Sequence, residues 1–281
     1  MKNSILEINN LKVFLDNNSR LKLVKNISLN LKKGKTLCIV GESGSGKSLT
    51  ALSVMQLLSS QLNMSGSIVF EGVNLVNLTK EEVRKKRGKD IAMIFQEPMT
   101  SLNPVLTIGY QIEEAIRVHE NFIKTELNKR VEELLNIVGI PKDRINSYPD
   151  ELSGGQRQRV MIAMAISCSP KLLIADEPTT ALDVTVQAQI LNLLNDLKLK
   201  FEMTMLFITH DFGVVEDIAD EVAVMYQGEI VEQGTVLNVL KNPKHPYTKA
   251  LLDCVPDPHG KKDLNPIDYS DLKRAMSLID K

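Results

Sequence analysis

The sequence predicts an α/β fold that carries an antiparallel β subdomain at its N-terminus and an inserted α-helical subdomain. Three patterns support this prediction: apolar segments that recur between helical ones, β-rich alternation near the N-terminus, and a long, mostly helical block in the middle. Hydrophobic residues make up 43% of the 281-residue chain and charged residues 25%, which is typical of a globular protein with a packed core. We therefore expect one domain with an elaboration.

The N-terminal part predicts the antiparallel subdomain and the first strand of the core. Residues 5–31 contain two β-rich segments on either side of a polar turn at residues 16–19. The apolar segment Thr36–Val40 then predicts a buried strand, and residues 41–46 form a glycine-rich loop ahead of a helix. We expect this helix to run from residue 47 to about residue 58.

The rest of the chain alternates between apolar strands and helical segments. A mostly helical block from about residue 108 to residue 140 predicts an inserted helical subdomain over about residues 98–165. Residues 241–281 contain several prolines and are expected to be an accessory tail to a domain formed by residues 1–240. The other predicted elements are a strand and turn around residues 66–72, a strand over 91–95, a helix that follows Ser153 and ends at about 167, a strand over 171–176, a helix over 185–201, the strand Thr204–Thr209, and two strands within 221–233 joined by a turn at Gln227 and Gly228.

The charges give no reason to expect a nucleic-acid partner. The 34 Lys and Arg residues nearly balance the 35 Asp and Glu residues, so the formal net charge is -1. The basic run at residues 84–89 is short and has no interleaved aromatic residues, so we interpret it as a solvated turn.

The cysteines and the apolar runs indicate a reducing compartment and no membrane passage formed by this chain. Cys38, Cys168 and Cys254 lie far apart without CxxC spacing, which predicts free thiols and no zinc site. The N-terminus shows a strand pattern where a signal peptide would be apolar, and no apolar run approaches the roughly 20 residues that a membrane helix needs. If the protein acts at a membrane, we expect other chains to form the passage.

A phosphate-binding motif occupies the loop between the first buried strand and its helix. Residues 41–48 fit G-x-x-x-x-G-K-S in the strand-loop-helix context that supports this motif, so an ordinary glycine-rich turn is the weaker interpretation. Backbone N–H groups would converge on phosphate oxygens, Lys47 would add a positive charge near them, and Ser48 would bind Mg²⁺. The predicted nucleotide-binding residues of this segment are Gly41, Ser43, Gly44, Ser45, Gly46, Lys47, Ser48 and Leu49.

Two adjacent carboxylates, Asp176 and Glu177, stand at the end of a predicted buried strand. Alone they are a weak indication, because Asp is often found at strand ends as a cap. Beside a phosphate loop, Asp176 is expected to hold the metal with its water shell, and Glu177 to polarise the attacking water. The loop itself is shared by kinases, GTPases and helicases, so a second motif is needed to separate these classes.

A second motif, with two consecutive glycines, separates these classes of nucleotide-binding protein. The pentapeptide at residues 152–156 reads LSGGQ, and a serine-capped helix start would explain Ser153 but not two consecutive glycines. The segment resembles the signature motif of ABC ATPases, which implies a P-loop NTPase core of the ABC ATPase type. In that family Ser153, Gly154, Gly155 and Gln156 would form a second anion site at a helix N-terminus and cover ATP held by another cassette. The resemblance therefore implies that dimerisation is part of the mechanism.

The resemblance also implies roles for four single residues. Gln96 matches the glutamine that senses Mg²⁺ and the attacking water, and Asp183 belongs to a loop at residues 181–183 that crosses the dimer interface. His210 matches the histidine at the γ-phosphate; a buried or capping role is commoner for an isolated histidine, but the position of His210 and Asp211 at a strand end after the acidic pair favours the γ-phosphate role. Phe14 lies where the family places an aromatic ring on adenine, with a plain core phenylalanine as the alternative.

Two longer segments resemble the ATPase subunits of oligopeptide, dipeptide and nickel importers. They are residues 95–104 and 243–252, and the resemblance covers about residues 5–258. It implies a peripheral subunit at the cytoplasmic face of the cell membrane that uses ATP and Mg²⁺ to power uptake of peptides, nickel or metal complexes. Some members of this importer family bind an iron–sulfur cluster through several cysteines in the tail, but here Cys254 is the single cysteine of the tail, so no cluster is expected. Residues 261–281 resemble no segment that we can name.

The implied partners are other subunits of a transporter. They are a second, related ABC ATPase with a homodimer as the alternative, two membrane permease subunits, and indirectly an extracytoplasmic solute-binding protein. An ABC exporter ATPase and a soluble ABC ATPase outside transport remain alternative functions. The tail disfavours the exporter, and the compact, single cassette disfavours the DNA-repair and ribosome-associated classes.

Overall fold

The computed structural model describes residues 3–16, 18–96, 101–180 and 182–254. The sequence predictions that extend outside these described residues are the polar turn at residue 17, the importer-like segment 95–104 and the start of the helical subdomain at 97–100, the interface loop at Ala181, and the tail after Cys254. Within the described part, two β-sheets and the helices packed on them form the molecule.

The strands and helices that the sequence predicts occur in the predicted order, and the structure adds short elements that were not predicted. The strands are β1 (Ser4–Leu15), β2 (Asn18–Lys32), β3 (Thr36–Val40), β4 (Leu62–Phe70), β5 (Val73–Asn74), β6 (Ile91–Ile94), β7 (Leu172–Asp176), β8 (Thr204–Thr209), β9 (Glu221–Tyr226) and β10 (Glu229–Thr235). The helices are α1 (Lys47–Val54), α2 (Lys80–Lys86), α3 (Ile108–Arg117), α4 (Lys124–Ile137), α5 (Gly154–Ala165), α6 (Val184–Lys200), α7 (Phe212–Ile218), α8 (Val236–Lys241) and α9 (Pro246–Asp253). No helix in the described ranges has the length and apolar character needed to cross a bilayer.

The N-terminal sheet is antiparallel and has the strand order β2-β1-β4-β5. Val13 of β1 lies opposite Val24 of β2 and Met64 of β4, so its side chain belongs to one shared apolar layer. Leu11 and Val13 are completely buried, whereas Lys12 between them is half-buried, as expected for a strand with one face on the core. The predicted antiparallel subdomain is therefore confirmed.

The central sheet has the order β10-β9-β3-β8-β7-β6 and is parallel except for β10. Successive residues of β3 face opposite sides: Leu37 and Ile39 contact the core beneath the antiparallel sheet, and Cys38 and Val40 contact the core beneath the helices. Both faces are covered, which explains why the strands read as continuous apolar runs. The carboxyl ends of β3, β7 and β8 meet at one edge of the sheet, where α/β proteins place their ligands.

The middle helices pack on one another around a common apolar cluster. Ile112 and Ile116 of α3, Leu134 of α4 and Val160 of α5 are all fully buried in it. The predicted helical block is thus two helices, α3 and α4, with α5 completing the cluster. The boundaries at residues 98–165 and 240/241 stay predictions, and the described part of the tail is packed on the core through Tyr247, which is fully buried.

Some element ends differ from the sequence prediction. Helix α1 ends at Val54, earlier than the predicted residue 58, and Gln56 beyond it has a left-handed φ of 52° that does not continue a helix. Strand β4 begins at Leu62, earlier than predicted, because it extends alongside the whole of β1.

The basic run at residues 84–89 is the predicted solvated turn only in its last part, where residues 88 and 89 lie in a turn. Its first part forms the end of α2, whose N-cap Thr79 makes a capping box with Glu82. Arg87 is half-buried, and its Nε donates a hydrogen bond of 2.7 Å to the carbonyl oxygen of Met55. The prediction is wrong for residues 84–86, because the capping box at Thr79 starts a helix that extends into the run.

Candidate active site

The glycine-rich loop between β3 and α1 wraps around the side chain of Lys47. Lys47 is 4% exposed, and its Nζ donates hydrogen bonds to the carbonyl oxygens of Gly41 (2.7 Å) and Glu42 (2.8 Å). Gly46 caps α1 with a φ of 108°, a conformation that favours glycine. A Cβ on Gly41 would lie 2.1 Å from the carbonyl oxygen of Met225 on β9, so only glycine fits there.

Two carboxylates at the end of β7 face this lysine and its neighbour. Glu177 Oε1 is 3.9 Å from Lys47 Nζ, and Asp176 Oδ1 accepts a hydrogen bond of 3.0 Å from Ser48 Oγ. Burial lowers the pKa of Lys47, and the charges of Glu177 and Asp176 oppose that shift. Burial also raises the pKa of Asp176, an effect that the nearby Glu177 charge reinforces and the Ser48 hydrogen bond opposes. The site is therefore a set of opposite charges held largely away from bulk water.

Glu177 gathers three side chains at one oxygen atom. Its Oε2 is 3.1 Å from Gln96 Nε2, 3.0 Å from Thr180 Oγ1 and 3.0 Å from His210 Nδ1. Its backbone has a left-handed φ of 47°, which is uncommon for a residue other than glycine, and its N–H donates to the carbonyl oxygen of Ile208 at 2.9 Å. Strained backbone of this kind clusters at functional sites, where the surrounding contacts hold it in place.

A cavity of about 560 Å³ lies between the loop and Glu177. The predicted site residues that line it are Ser43, Gly44, Gly46, Lys47, Ser48, Leu49, Gln96, Glu177 and His210. Gly41, Ser45 and Asp176 lie behind this lining. The carbonyl oxygen of Gly41 accepts from Lys47 Nζ, the carbonyl oxygen of the buried Ser45 accepts from the N–H of Gly228, and Asp176 Oδ1 accepts from Ser48 Oγ. The structure thus brings the phosphate loop, the acidic pair, Gln96 and His210 together as the sequence predicts.

Four lining residues were missed by sequence reasoning: Leu23, Glu42, Thr180 and Leu251. Thr180 could have been found, because a hydroxyl three residues after Glu177 can reach back across a turn, and its N–H does donate to the Glu177 carbonyl oxygen at 3.2 Å. Leu23 of β2 and Leu251 of α9 carry no local signal, since only the tertiary fold brings them to the cavity.

The signature segment does not line the cavity of its own chain. Ser153 caps α5 in a capping box: its Oγ accepts from the N–H of Gln156, and Gln156 Oε1 accepts from the N–H of Ser153. A Cβ on Gly155 would lie 2.7 Å from Cγ1 of Val186 on α6, so close helix packing explains this glycine. Gly154 has room for a Cβ, which would meet its neighbour at an ordinary 3.8 Å.

Two more predicted binding residues lie outside the cavity lining. Asp183 caps α6, where its Oδ1 accepts a hydrogen bond of 2.9 Å from the N–H of Val186. Phe14 is half-buried on β1 opposite Lys22 of β2, and the residue after Lys22, Leu23, lines the cavity in its place. The stacking of Phe14 on adenine stays a prediction.

Comparison with protein families matches residues 24–180 to the model described as ABC transporter. The chain belongs to the ABC transporter family. The matched stretch includes the phosphate loop, the signature segment and the end of β7, and a second match covers residues 231–274 with the oligopeptide/dipeptide transporter C-terminal region. The resemblance inferred from the sequence is confirmed.

Two relatives of this ABC protein are named as oligopeptide transport ATP-binding proteins. The oligopeptide transport ATP-binding protein OppD of Bacillus subtilis is 50% identical over 270 residues, which cover 94% of this chain and 75% of OppD. The oligopeptide transport ATP-binding protein AppD of the same organism is 51% identical over 265 residues, covering 92% of this chain and 81% of AppD.

A solved structure of an ABC cassette supports the fold. A dimeric, post-hydrolysis structure of the ATP-binding cassette MJ0796 bound to ADP and Pi superimposes with a TM-score of 0.73 and 28% identity, covering 82% of this chain and 98% of that one. The predicted ABC ATPase fold and enzyme class are confirmed. This ABC protein is an ATPase subunit that binds and hydrolyses ATP.

Proposed function

We propose that this ABC ATPase powers an importer that takes up peptides through separate membrane subunits. The proposal depends on one combination: the Lys47–Glu177 site occurs in one chain with an oligopeptide/dipeptide-type region at residues 231–274. The names of OppD and AppD favour peptides over nickel or another metal complex, the other predicted cargo. The same region speaks against an exporter ATPase and against a soluble ABC ATPase outside transport.

The loop is proposed to hold the phosphates of ATP with Mg²⁺ beside it. Ser48 Oγ and Asp176 Oδ1 lie 3.0 Å apart, and the Gln96 amide lies one hydrogen bond from Glu177. A hydroxyl, a carboxylate and an amide oxygen are ligand types that suit Mg²⁺, so Ser48, Asp176 and Gln96 fit the metal and would hold it. When bound, Mg²⁺ neutralises charge on the β- and γ-phosphates, and the buried ammonium of Lys47 adds to this effect.

Glu177 is proposed to take the proton from the attacking water. The water oxygen bonds to the γ-phosphorus, the bond from that phosphorus to the β–γ bridging oxygen breaks, and the water proton passes to the carboxylate. Gln96 and Thr180 fix the orientation of the carboxylate through their hydrogen bonds to Oε2. His210, 54% exposed at the same oxygen, is proposed to contact the γ-phosphate.

A second cassette is proposed to complete the site. Ser153 and the glycines after it begin α5, whose N–H groups form an anion site, yet they do not line the cavity of their own chain. They are therefore proposed to cover the nucleotide of a partner cassette, and the MJ0796 cassette is dimeric. A related second ATPase subunit is the preferred partner, and a second copy of this chain is the alternative.

An apolar groove beside Gln96 is the proposed docking site for a helix of a membrane permease subunit. It encloses about 270 Å³ and is lined by Met55, Gly88, Ala92, Met93, Ile94, Phe95, Ser101, Ala115, Met161, Met164 and Ala165. Flexible methionine side chains adapt to an apolar helix face, as in other helix-in-groove complexes. We accordingly propose that the protein lies peripherally at the cytoplasmic face of the membrane, beneath two permease subunits. A solute-binding protein on the other side would deliver the solute to those permease subunits.

Uptake by the reconstituted transporter tests this function. The chain is combined with its permease subunits, sister ATPase and solute-binding protein in proteoliposomes, and entry of radiolabelled dipeptides, tripeptides and tetrapeptides is followed with ATP present. Uptake should require this chain and should fall sharply with Lys47→Ala, whereas Glu216→Gln, at an exposed ion pair with Lys241, should behave as wild type. Undiminished uptake with Lys47→Ala, or uptake of nickel but no peptide, would overturn the proposal.

A further inference from the structure

We propose that Tyr247 of the C-terminal helix α9 is a positioning residue for the phosphate loop, so that the tail sets the affinity of the site for nucleotide. The proposal rests on the assigned phosphate-binding role of the loop. It concerns a segment that follows the cassette core in sequence and that no sequence motif links to the loop.

The contact joins α9 to one peptide unit of the loop. The Glu42 N–H donates a hydrogen bond of 3.2 Å to Tyr247 Oη, and the Gly41 carbonyl oxygen accepts one of 2.7 Å from Lys47 Nζ. That carbonyl and that N–H belong to the same peptide group, which is planar and rigid. Tyr247 and Lys47 are therefore bound to the two ends of one rigid unit, and its orientation cannot change without breaking both contacts.

The ring of Tyr247 is anchored independently of its hydroxyl. It is fully buried, and it packs on the ring of Tyr226 with centroids 4.2 Å apart and an interplanar angle of 40°. Tyr226 ends β9, the strand whose Met225 carbonyl approaches Gly41. The aromatic pair thus joins the end of the central sheet to the accessory helix directly behind the loop.

The start of α9 is held in register by β10 and by its own cap. Glu232 of β10 accepts hydrogen bonds from the N–H groups of Lys244 (2.8 Å) and His245 (3.0 Å). His245 Nδ1 in turn accepts the N–H of Tyr247 at 3.2 Å. One turn further on, Leu251 lines the nucleotide cavity itself, so the same face of α9 supplies both the hydroxyl and part of the wall.

Removing the hydroxyl should loosen the loop without unpacking the helix. Without Tyr247 Oη the Glu42 N–H loses this contact, so the peptide group is held less firmly in the orientation that binds Lys47. We expect ATP to bind about three- to tenfold more weakly to Tyr247→Phe, the range that loss of one hydrogen bond gives. The effect should fall on KM, with kcat retained, because the hydroxyl does not touch the reacting atoms.

The experiment compares Tyr247→Phe with Tyr226→Phe in the full chain. Tyr226 Oη lies in the same ring pair but accepts only from the Gln227 side chain among the contacts seen, so its loss leaves the loop untouched. Fluorescence titration with ATP gives affinity, steady-state kinetics separate KM from kcat, and thermal scans report folding. We expect weaker binding for Tyr247→Phe, near-wild-type binding for Tyr226→Phe, and similar Tm values for both.

Equal ATP affinity of Tyr247→Phe and wild type, or an equal loss in Tyr226→Phe, would overturn the inference. If Tyr247→Phe proves unfolded at the assay temperature, Leu251→Ala replaces it, and unchanged ATP affinity there overturns it as well. Lys47→Ala tests the loop separately. If Lys47→Ala loses ATP binding while Tyr247→Phe keeps it, only the role of the tail is refuted; if Lys47→Ala binds normally, the assigned role of the loop fails.

Discussion

Replacing Glu177 with glutamine should stop ATP hydrolysis while leaving the fold in place. Glutamine has nearly the volume of glutamate, and its amide oxygen can accept the hydrogen bonds that Gln96 and Thr180 now donate to Oε2 at 3.1 and 3.0 Å. Its NH₂ group would take the position of Oε1, which is 3.9 Å from Lys47 Nζ and beyond hydrogen-bond distance. The geometry is therefore preserved, and what disappears is a carboxylate able to take a proton.

The size of the effect follows from the role of a general base. Proton transfer by a positioned side chain contributes about 10²- to 10⁴-fold to a rate, which corresponds to about 2.7–5.4 kcal/mol of activation free energy. ATP affinity should change little, because the phosphate loop does not depend on Glu177 for its shape. Phosphate release at saturating ATP and Mg²⁺ measures kcat, and equilibrium dialysis measures ATP binding.

The matched control is Glu216→Gln, which makes the same chemical change at a side chain that is 64% exposed and away from the cavity. It should retain wild-type kcat and wild-type affinity. A decrease in kcat of less than about tenfold in Glu177→Gln would exclude Glu177 as the base. Loss of ATP binding or of a cooperative thermal transition would instead show that the residue maintains the structure.

Two further substitutions test other parts of the molecule. Gly155→Ala should lower the unfolding free energy by about 1–3 kcal/mol, a typical cost of overpacking, because its Cβ would lie 2.7 Å from Val186 Cγ1; calorimetry should show a lower Tm than for Gly154→Ala, and equal Tm values would contradict this. Asp176→Asn should raise the Tm of the nucleotide-free protein near pH 7, because burial raises the pKa of Asp176 above its ordinary 3.8. A raised folded-state pKa stabilises the wild type below pH 3.8, and this stabilisation is lost as pH rises through the folded pKa. The Tm difference between Asp176→Asn and wild type should therefore become smaller as the pH is lowered in thermal scans. A Tm below that of wild type at pH 7 would refute the reasoning.

The sequence was sufficient to predict the fold and most of the residues that meet at the candidate site. Glu177 and His210 directly follow the carboxyl ends of β7 and β8, and Lys47 follows that of β3 after the loop at residues 41–46; such strand ends converge at one edge of a parallel sheet. The strand pattern of the sequence is therefore enough to predict that these three side chains lie close together.

The rest could not be predicted, because it depends on contacts between distant segments. The hydrogen bond from Glu42 to Tyr247 spans 205 residues, and no local pattern in either segment indicates it. The exclusion of Phe14 from the cavity lining depends on how the antiparallel sheet faces the loop, which alternation within β1 does not determine. The signature glycines illustrate a different limit: Gly155 is required by Val186 on another helix, so a motif associated with nucleotide also serves packing.

Glu177 Oε2 lies where chain segments from three neighbouring strands of the sheet arrive at a single atom. Gln96 lies two residues after the end of β6, and Phe95 directly before it is part of the apolar groove and 42% exposed. If a permease helix binds in that groove as proposed, a displacement of Phe95 would reach Gln96 after one residue of backbone and would alter the Gln96–Glu177 hydrogen bond. Docking would then act on the proposed general base, and the phosphate loop on β3 and α1 would keep its contacts.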